Sequence, residues 1–351
     1  MTPAETSDTI RQWGTDFGFQ HIGITDIEID QHAAYLRHWL EKQYHGEMHY
    51  MEGRAELRSQ PETLVPNTLR VISARMDYLP SDHQMAEILG QPEKAYISRY
   101  ALGRDYHKLI RKRLSQFAKK IEQEFGGEHR AFVDSAPVLE RGFAEKAGLG
   151  WIGKNTMLIN EKAGSWFFLG EVFTTLPLQA DPPQTTKHCG SCSACIQDCP
   201  TGAIVAPFEV DARKCISYLT IELRDSIPEN LRPLMGNRVF GCDDCQLVCP
   251  WNKFSAPTTE PDFSPRHNLD NSGLIELFKW EESEFLDKTA GSPIRRIGYE
   301  CWLRNLAVGL GNAPSSIDVI QALQARAEHP SPLVKEHVRW ALAQHNAQPS
   351  E

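Results

Sequence analysis

Apolar positions along the first 180 residues alternate between two rhythms. Residues 7–17 and 31–43 carry the three-to-four spacing of short helices, with Ser7 a candidate N-cap for the first. His21–Asp26, Leu69–Pro80 and Ser165–Thr175 are short apolar runs that predict strands, and Pro61 and Pro66 mark a loop before the second of them. From Asp105 to Lys120, Leu109, Ile110, Leu114 and Phe117 keep helical spacing beneath a dense cationic face. Residues 130–148 read as strand, tight turn and helix, with Pro137 suited to the first helical position and Ser135 or Ala136 as cap. This succession predicts an α/β domain over residues 1–180. Asp134 falls at a strand's C-terminal end, where α/β sheets collect site residues. From the residues alone it is equally a cap for the following helix.

The pattern changes beyond residue 180. A linker rich in Pro, Thr and Gln (180–188) leads into a cysteine-rich module, 181–255, and residues 255–271 read as a loop. Helical patterns then occupy Gly273–Trp280, Ile294–Leu310, Ser316–Ala327 and Leu333–Gln344. Amphipathic helices with short Pro/Gly breaks predict a HEAT-like helical repeat over 256–351. So short an array cannot bury its own face and must pack on the rest of the chain. Cys301 lies on the apolar side of the second of these helices and reads as core.

At 351 residues, 41% hydrophobic and 24% charged, the chain has ordinary globular composition. The start, MTPAETSDTIRQWG, shows no signal-peptide or twin-arginine pattern, and no apolar run reaches membrane length; a cytoplasmic monomer is expected. A net charge of −9 argues against a general nucleic-acid coat protein but leaves room for a local basic patch. The stretch from Ile97 to Lys120 is such a patch, with Tyr96, Tyr100 and Tyr106 interleaved. A solvated cationic face explains it as well as a phosphate-contacting one. His32, His38, His45 and His49 show no ligand spacing and read as solvated surface.

Eight of the nine cysteines carry the chemistry. Cys189, Cys192, Cys195 and Cys199 with Pro200 follow the C-x2-C-x2-C-x3-C-P spacing of bacterial [4Fe–4S] ferredoxins, and Cys242-x2-Cys245-x3-Cys249-Pro250 follows after Cys215. Eight thiolates suffice for two clusters. Zinc at the C-x2-C pairs would strand four matched cysteines, and disulfides do not suit closely spaced clusters of cysteines. A radical-SAM site fails because Gly202 stands where the third cysteine should be. Gly148-Leu-Gly150-Trp-Ile-Gly153 imitates a dinucleotide fingerprint but follows a helix and leads into the strand 155–160, the reverse of the required order. Asp105-Tyr-His107 begins a cobalamin-ligating D-x-H-x-x-G motif, yet Ile110 occupies the glycine position.

Over nearly its full length the chain resembles the epoxyqueuosine reductases. The resemblance is carried by VDSAPVLER (133–141), GLGWIGKNT (148–156), GSWFFLGE (164–171), both cysteine runs, CPWN (249–252) and SPIRRIGYECWLRNLAVGLGN (292–312). It implies a cobalamin in the α/β domain, a fold shared with cobalamin-dependent reductive dehalogenases, and two [4Fe–4S] clusters feeding electrons to it. It implies Asp134 as proton donor to the departing epoxide oxygen, a general-acid role. Cys189, Cys192, Cys195 and Cys249 would hold one cluster, and Cys199, Cys215, Cys242 and Cys245 the other. Cobalamin contacts are expected from Arg58, Ser98, Asn155, Thr156, Gly164, Ser165, Gly170 and the segment Cys242-Asp243-Asp244-Cys245. The partner would be a transfer-RNA anticodon stem-loop, gripped by the helical tail with Arg295 and Arg296, and an external electron donor would be required. The rival expectations are a reductive dehalogenase, which usually carries a twin-arginine leader, and a non-catalytic two-cluster electron carrier.

Overall fold

The structure, a computed structural model, describes residues 1–80 and 84–346. Helix α1 (Pro3–Asp16) starts five residues before the predicted N-terminus. Thr2 is its cap: its hydroxyl accepts from Glu5 N, while Glu5 Oε2 accepts from Thr2 N at 2.8 Å. This reciprocal capping box overrides Ser7. Ser7 is instead fully buried, donating to Pro3 O and accepting from Gln179 N, so it ties α1 to the chain leaving the sheet.

Strands β1 (His21–Thr25), β2 (Arg70–Asp77), β3 (His129–Phe132) and β4 (Phe167–Thr174) form one sheet in the order β1-β2-β4-β3. Every neighbouring pair is antiparallel, and Asp134 follows the C-terminal end of β3. β2 and β4 are buried along almost their whole length because both faces of the sheet are covered, not because the strands are parallel. Helix α1 and α2 (Tyr106–Phe125) cover one face, where Ile10, Phe117, Ile72 and Val172 meet. Helix α3 (Glu140–Lys146) covers the other, packing Phe143 on Val71, Phe132 and Phe173. Helix α3 begins three residues after Pro137, with Leu139 at its cap position; Ala136 and Val138 spend their amides on a tight turn first. Asp134 therefore caps no helix.

The cysteine-rich segment docks through a short parallel pairing of Arg238–Phe240 with Tyr96–Ile97. Val239, Phe240, Ala95 and Ile97 belong to the same apolar core as the helical tail, whose helices α4 (Gly298–Asn312) and α5 (Pro332–Asn346) pack together. Helix α4 is buried almost all round, Cys301 included, so the tail does lean on the rest of the chain. It starts at Gly298, because Pro293–Ile297 forms a 3-10 turn, and an unforeseen helix, Glu282–Lys288, precedes it.

Two expectations about the surface fail. Tyr96 and Tyr106 are buried, Tyr106 stacking on Phe168 with ring centroids 3.9 Å apart, so they do not stud a basic face. His45 is buried, and half-buried His32 lies 3.5 Å from Glu145. Burial, then Lys146, Lys187 and Arg141, push the His32 pKa down to about 4.

Candidate active site between the sheet and the cysteine-rich segment

A cavity of about 360 Å³ opens between the sheet domain and the cysteine-rich segment. Asp134, on the loop after β3, stands at one wall and Cys199, Cys215, Cys242 and Cys245 at another. Tyr78, Tyr100, Tyr106, Phe167 and Phe168 give it an aromatic side, and Asn155, Thr156 and Ser165 a neutral polar one.

Asp134 is held from the start of α2. The Tyr106 hydroxyl donates to Asp134 Oδ2, and His107 Nε2 meets Oδ1. His107 Nδ1 lies 2.7 Å from Asp105 Oδ1, and Arg296 Nη2 donates to Asp105 Oδ2 at 2.9 Å. Asp105 is also the α2 cap, accepting from His107 N. Helix initiation and imidazole orientation thus use one carboxylate. Burial opposes the charge on His107, but hydrogen bonds to Asp105 and Asp134 outweigh it and raise its pKa. Burial likewise opposes the Asp105 charge, yet His107 and Arg296 bring its pKa down to about 2.

Two further carboxyls lie behind Asp134. Glu140, in the first turn of α3, lines the cavity; burial pushes its pKa up and the Asp134 charge adds to this, against Arg141 and His107. Glu171, on the central strand β4, is fully buried, and neither of its oxygens has a hydrogen-bond partner. Burial, then Glu140 and Asp134, push it well up. An ionised carboxylate so placed would cost several kcal/mol, which favours the neutral acid.

The eight cysteines fall into two groups. Cys189, Cys192, Cys195 and Cys249 line a separate recess of about 300 Å³ with Lys154, His188 and Trp251. Burial, then the neighbouring Cys189, Cys249 and Cys192, push the Cys195 thiol up to about 11. Cys245 is raised by burial and then most strongly by Cys215. Among the described residues, no three of these sulfurs lie within 4.8 Å of one another. A single zinc, with Zn–S bonds of about 2.3 Å, would draw its thiolates closer than that. The open, mutually repelling sets suit multi-iron clusters.

Asp243 fastens this segment to the sheet domain. Its carboxylate accepts from Tyr96 Oη at 2.8 Å, Arg99 N at 2.9 Å and Ser98 Oγ, all buried. Asp244 pairs with Arg238, and Asn155 Nδ2 donates to Cys245 O at 3.1 Å. Thr156, at φ +65, turns its carbonyl to Arg141. The expected contacts therefore divide. Ser98, Asn155, Thr156, Ser165 and the Cys242–Cys245 segment line the cavity. Gly164, at φ +66, is hemmed in by Asn252 and Ser255, and Gly170 admits Leu114 of α2 against β4, so both serve packing. Arg58 is buried, donating to Tyr50 O at 3.1 Å, and does not line the cavity. Arg295 and Arg296 are both exposed, Arg295 donating to Leu286 O at 2.6 Å and Arg296 to Asp105.

The lining combines the residue types an amphipathic macrocycle fringed with amides would use: aromatic rings, neutral hydrogen-bonding side chains and thiols. Among the described residues, no histidine lines the cavity. Sequence reasoning had no place for Tyr106, His107, Glu140 or Glu171. Asp105-x-His107 at a helix start was the available signal for the first pair.

Comparison with known proteins gives these features their context. Residues 58–135 match the family described as "Epoxyqueuosine reductase QueG, DUF1730", and residues 188–252 match a "4Fe-4S double cluster binding domain". The chain is 63% identical to the epoxyqueuosine reductase of Pseudomonas aeruginosa over 98% of its own length and 95% of that protein's. Against the Escherichia coli epoxyqueuosine reductase, identity is 56%, over 97% and 89% of the two chains. A crystal structure of an epoxyqueuosine reductase with an epoxyqueuosine-modified tRNA-Tyr stem-loop superposes with a TM-score of 0.86 at 25% identity, covering 98% of this chain and 91% of that one.

Proposed function

The chain belongs to the epoxyqueuosine reductase family, and on that premise we propose that it reduces epoxyqueuosine at the wobble position of transfer RNA to queuosine. The observation that carries this is the cavity joining Asp134 to the second cysteine group. Cys189, Cys192, Cys195 and Cys249 would hold one [4Fe–4S] cluster, and Cys199, Cys215, Cys242 and Cys245 the other. Cobalamin would lie between the latter group and Asp134, against Asn155, Thr156 and Ser165. When bound, the clusters supply single electrons and the cobalamin a strongly reducing cobalt centre.

The chain's own residues handle orientation and protons. Asp134 gives its proton to the oxygen leaving the epoxide carbon. Tyr106 and His107 fix the direction of its carboxyl, and His107, held charged, stabilises the anion that remains. Asp105 and Arg296 hold His107 in turn. The aromatic wall excludes water from the reacting carbon.

The anticodon stem-loop must splay its target base into this cavity. Exposed Lys108, Arg111 and Lys112 of α2, with Arg295 on the tail, offer phosphate contacts beside the Asp134 loop; Arg111 reaches Ser135 Oγ at 3.2 Å. We read the tail as a HEAT-like array and the protein as a cytoplasmic monomer served by an external electron donor. Among the described residues, no helix is long and apolar enough to cross a membrane.

The deciding experiment is anaerobic turnover of an epoxyqueuosine stem-loop, followed by nucleoside mass spectrometry. The wild type yields queuosine. Asp134→Asn keeps iron and cobalamin but loses turnover by about a thousandfold. Unchanged turnover in that variant refutes the assignment of Asp134.

A further inference from the structure

A second constellation lies on the segment between the helix Asp30–Glu41 and β2, and it is independent of the reaction proposed above. Hydrogen-bonded turns follow one another there. Met48 N donates to His45 O at 3.1 Å, Met51 N to Met48 O at 2.8 Å and Gly53 N to His49 O at 2.9 Å, and His49–Glu52 is a short α-helical turn. Helical winding puts residues three and four apart on one stripe. His45, His49 and Glu52 have that spacing, and one ligand atom from each lies within 4.8 Å of the other two. The sequence hides this set because its third member is a glutamate and the winding is too short to show a period.

His45 distinguishes the set from a solvated face. It is only 7% exposed, and its Nδ1 is buried without a hydrogen-bond partner among the described residues. Trp39 and His49 flank its ring, at centroid distances of 6.0 and 6.4 Å. A buried ring nitrogen left without a partner is costly. A metal ion would be that partner, and would also account for the imidazole and carboxylate beside it. Two imidazoles and one carboxylate suit borderline divalent ions such as zinc, whereas magnesium and calcium take oxygen ligands. Around zinc the donor atoms stand about 3–4 Å apart, so small rotations of the exposed His49 and Glu52 side chains close the set.

We propose that His45, His49 and Glu52 bind one divalent transition-metal ion of the zinc class, with water completing its shell on the exposed side. The ion acts as a clamp. Within the bracketed segment, Glu47 N donates to Tyr218 Oη at 2.8 Å, and just before it Tyr44 O accepts from Ala212 N at 2.9 Å. Gly46, at φ +57, lies so close that a Cβ there would collide with the Tyr218 ring. Tyr218 belongs to the helix Ile216–Ile221 that follows Cys215, and Trp39 and Met48 pack on the same apolar cluster as Cys215 and Cys242. Tying His45 to the turn at His49 and Glu52 therefore steadies a support of the inner cysteine group.

The test titrates the anaerobic holoenzyme, whose cluster cysteines are already occupied, with zinc chloride. Wild type should take up one zinc ion per chain. X-ray absorption at the zinc edge should show nitrogen and oxygen neighbours at about 2.0–2.2 Å and no sulfur at about 2.3 Å. His49→Ala and Glu52→Gln, both at exposed positions, should each weaken binding at least about tenfold, the loss that even an outer-sphere partner of a metal causes. Their iron and cobalamin contents report that the fold is intact. Zinc should also slow proteolytic cleavage within residues 43–53 of wild type but not of the variants, and excess magnesium should not displace it. No uptake by the holoenzyme, equal uptake in both variants, a sulfur-bound zinc or displacement by magnesium overturns the site. Turnover is not the readout, so failure of the proposed reaction would leave this result standing.

Discussion

The two cysteine groups are chemically alike and differently placed. Around the first, Cys192 is exposed, and Lys154 Nζ donates to Gly190 O and Cys192 O at 2.7 Å on the outer loop. The second forms a wall of the cavity that Asp134 faces. A cluster in the first seat meets solvent and partners, and one in the second meets the reaction. With the clusters seated as proposed, the difference would give the pair a direction, electrons entering at the outer seat and leaving at the inner one.

Substituting one ligand in each seat would break that comparison most sharply. With dithionite as reductant, Cys245→Ser should abolish queuosine formation, a loss of more than about a hundredfold, while Cys192→Ser should retain measurable turnover. Equal losses in both would erase the distinction. The next effect concerns how the inner seat is fastened. Asp243→Ala strands three buried donors and should lower unfolding free energy by about 4 kcal/mol in chemical denaturation, where removal of half-buried Lys154 should cost much less.

A third measurement addresses the acid's support. The His107 pKa is raised in the folded state, so its stabilisation is complete below the ordinary value of 6.5 and disappears as pH rises through the folded value. His107→Asn should therefore cost about 2 kcal/mol at pH 5.5 and less at pH 9, read from denaturation midpoints. The smallest effect expected is at the RNA face: Arg295→Ala should weaken stem-loop binding a few-fold and reduce the salt slope by about one. Arg296→Ala should act on turnover instead, through Asp105.

What could be read in the sequence follows from how local each signal is. The cysteine spacing points to two [4Fe–4S] clusters because a turn of the chain sets thiolate reach, and the family-model match to residues 188–252 agrees with it, while the division of the ligands came from the resemblance. Strand positions were legible because β2 and β4 carry dense β-formers such as Val71, Ile72, Val172 and Phe173. Their antiparallel direction was not, since a run covered on both faces looks the same either way. Ser7 misled because Thr2 and Glu5 offered a better reciprocal cap upstream. Glu171 was invisible for a different reason: a single glutamate in a strand normally marks a solvent-facing position, and here both faces are covered. Tyr106 and His107 looked like part of a basic surface until the fold turned them inward onto Asp134.

The parallel pairing of Tyr96–Ile97 with Arg238–Phe240 has a consequence for biosynthesis. The first 180 residues leave the ribosome with one of their strands still lacking its neighbour, which is translated some 140 residues later. Closing so long a loop is slow, and until it closes Asp243 has no donors to accept from. The nascent protein thus passes through a stage in which its sheet is formed and its cavity is still a cleft open to solvent.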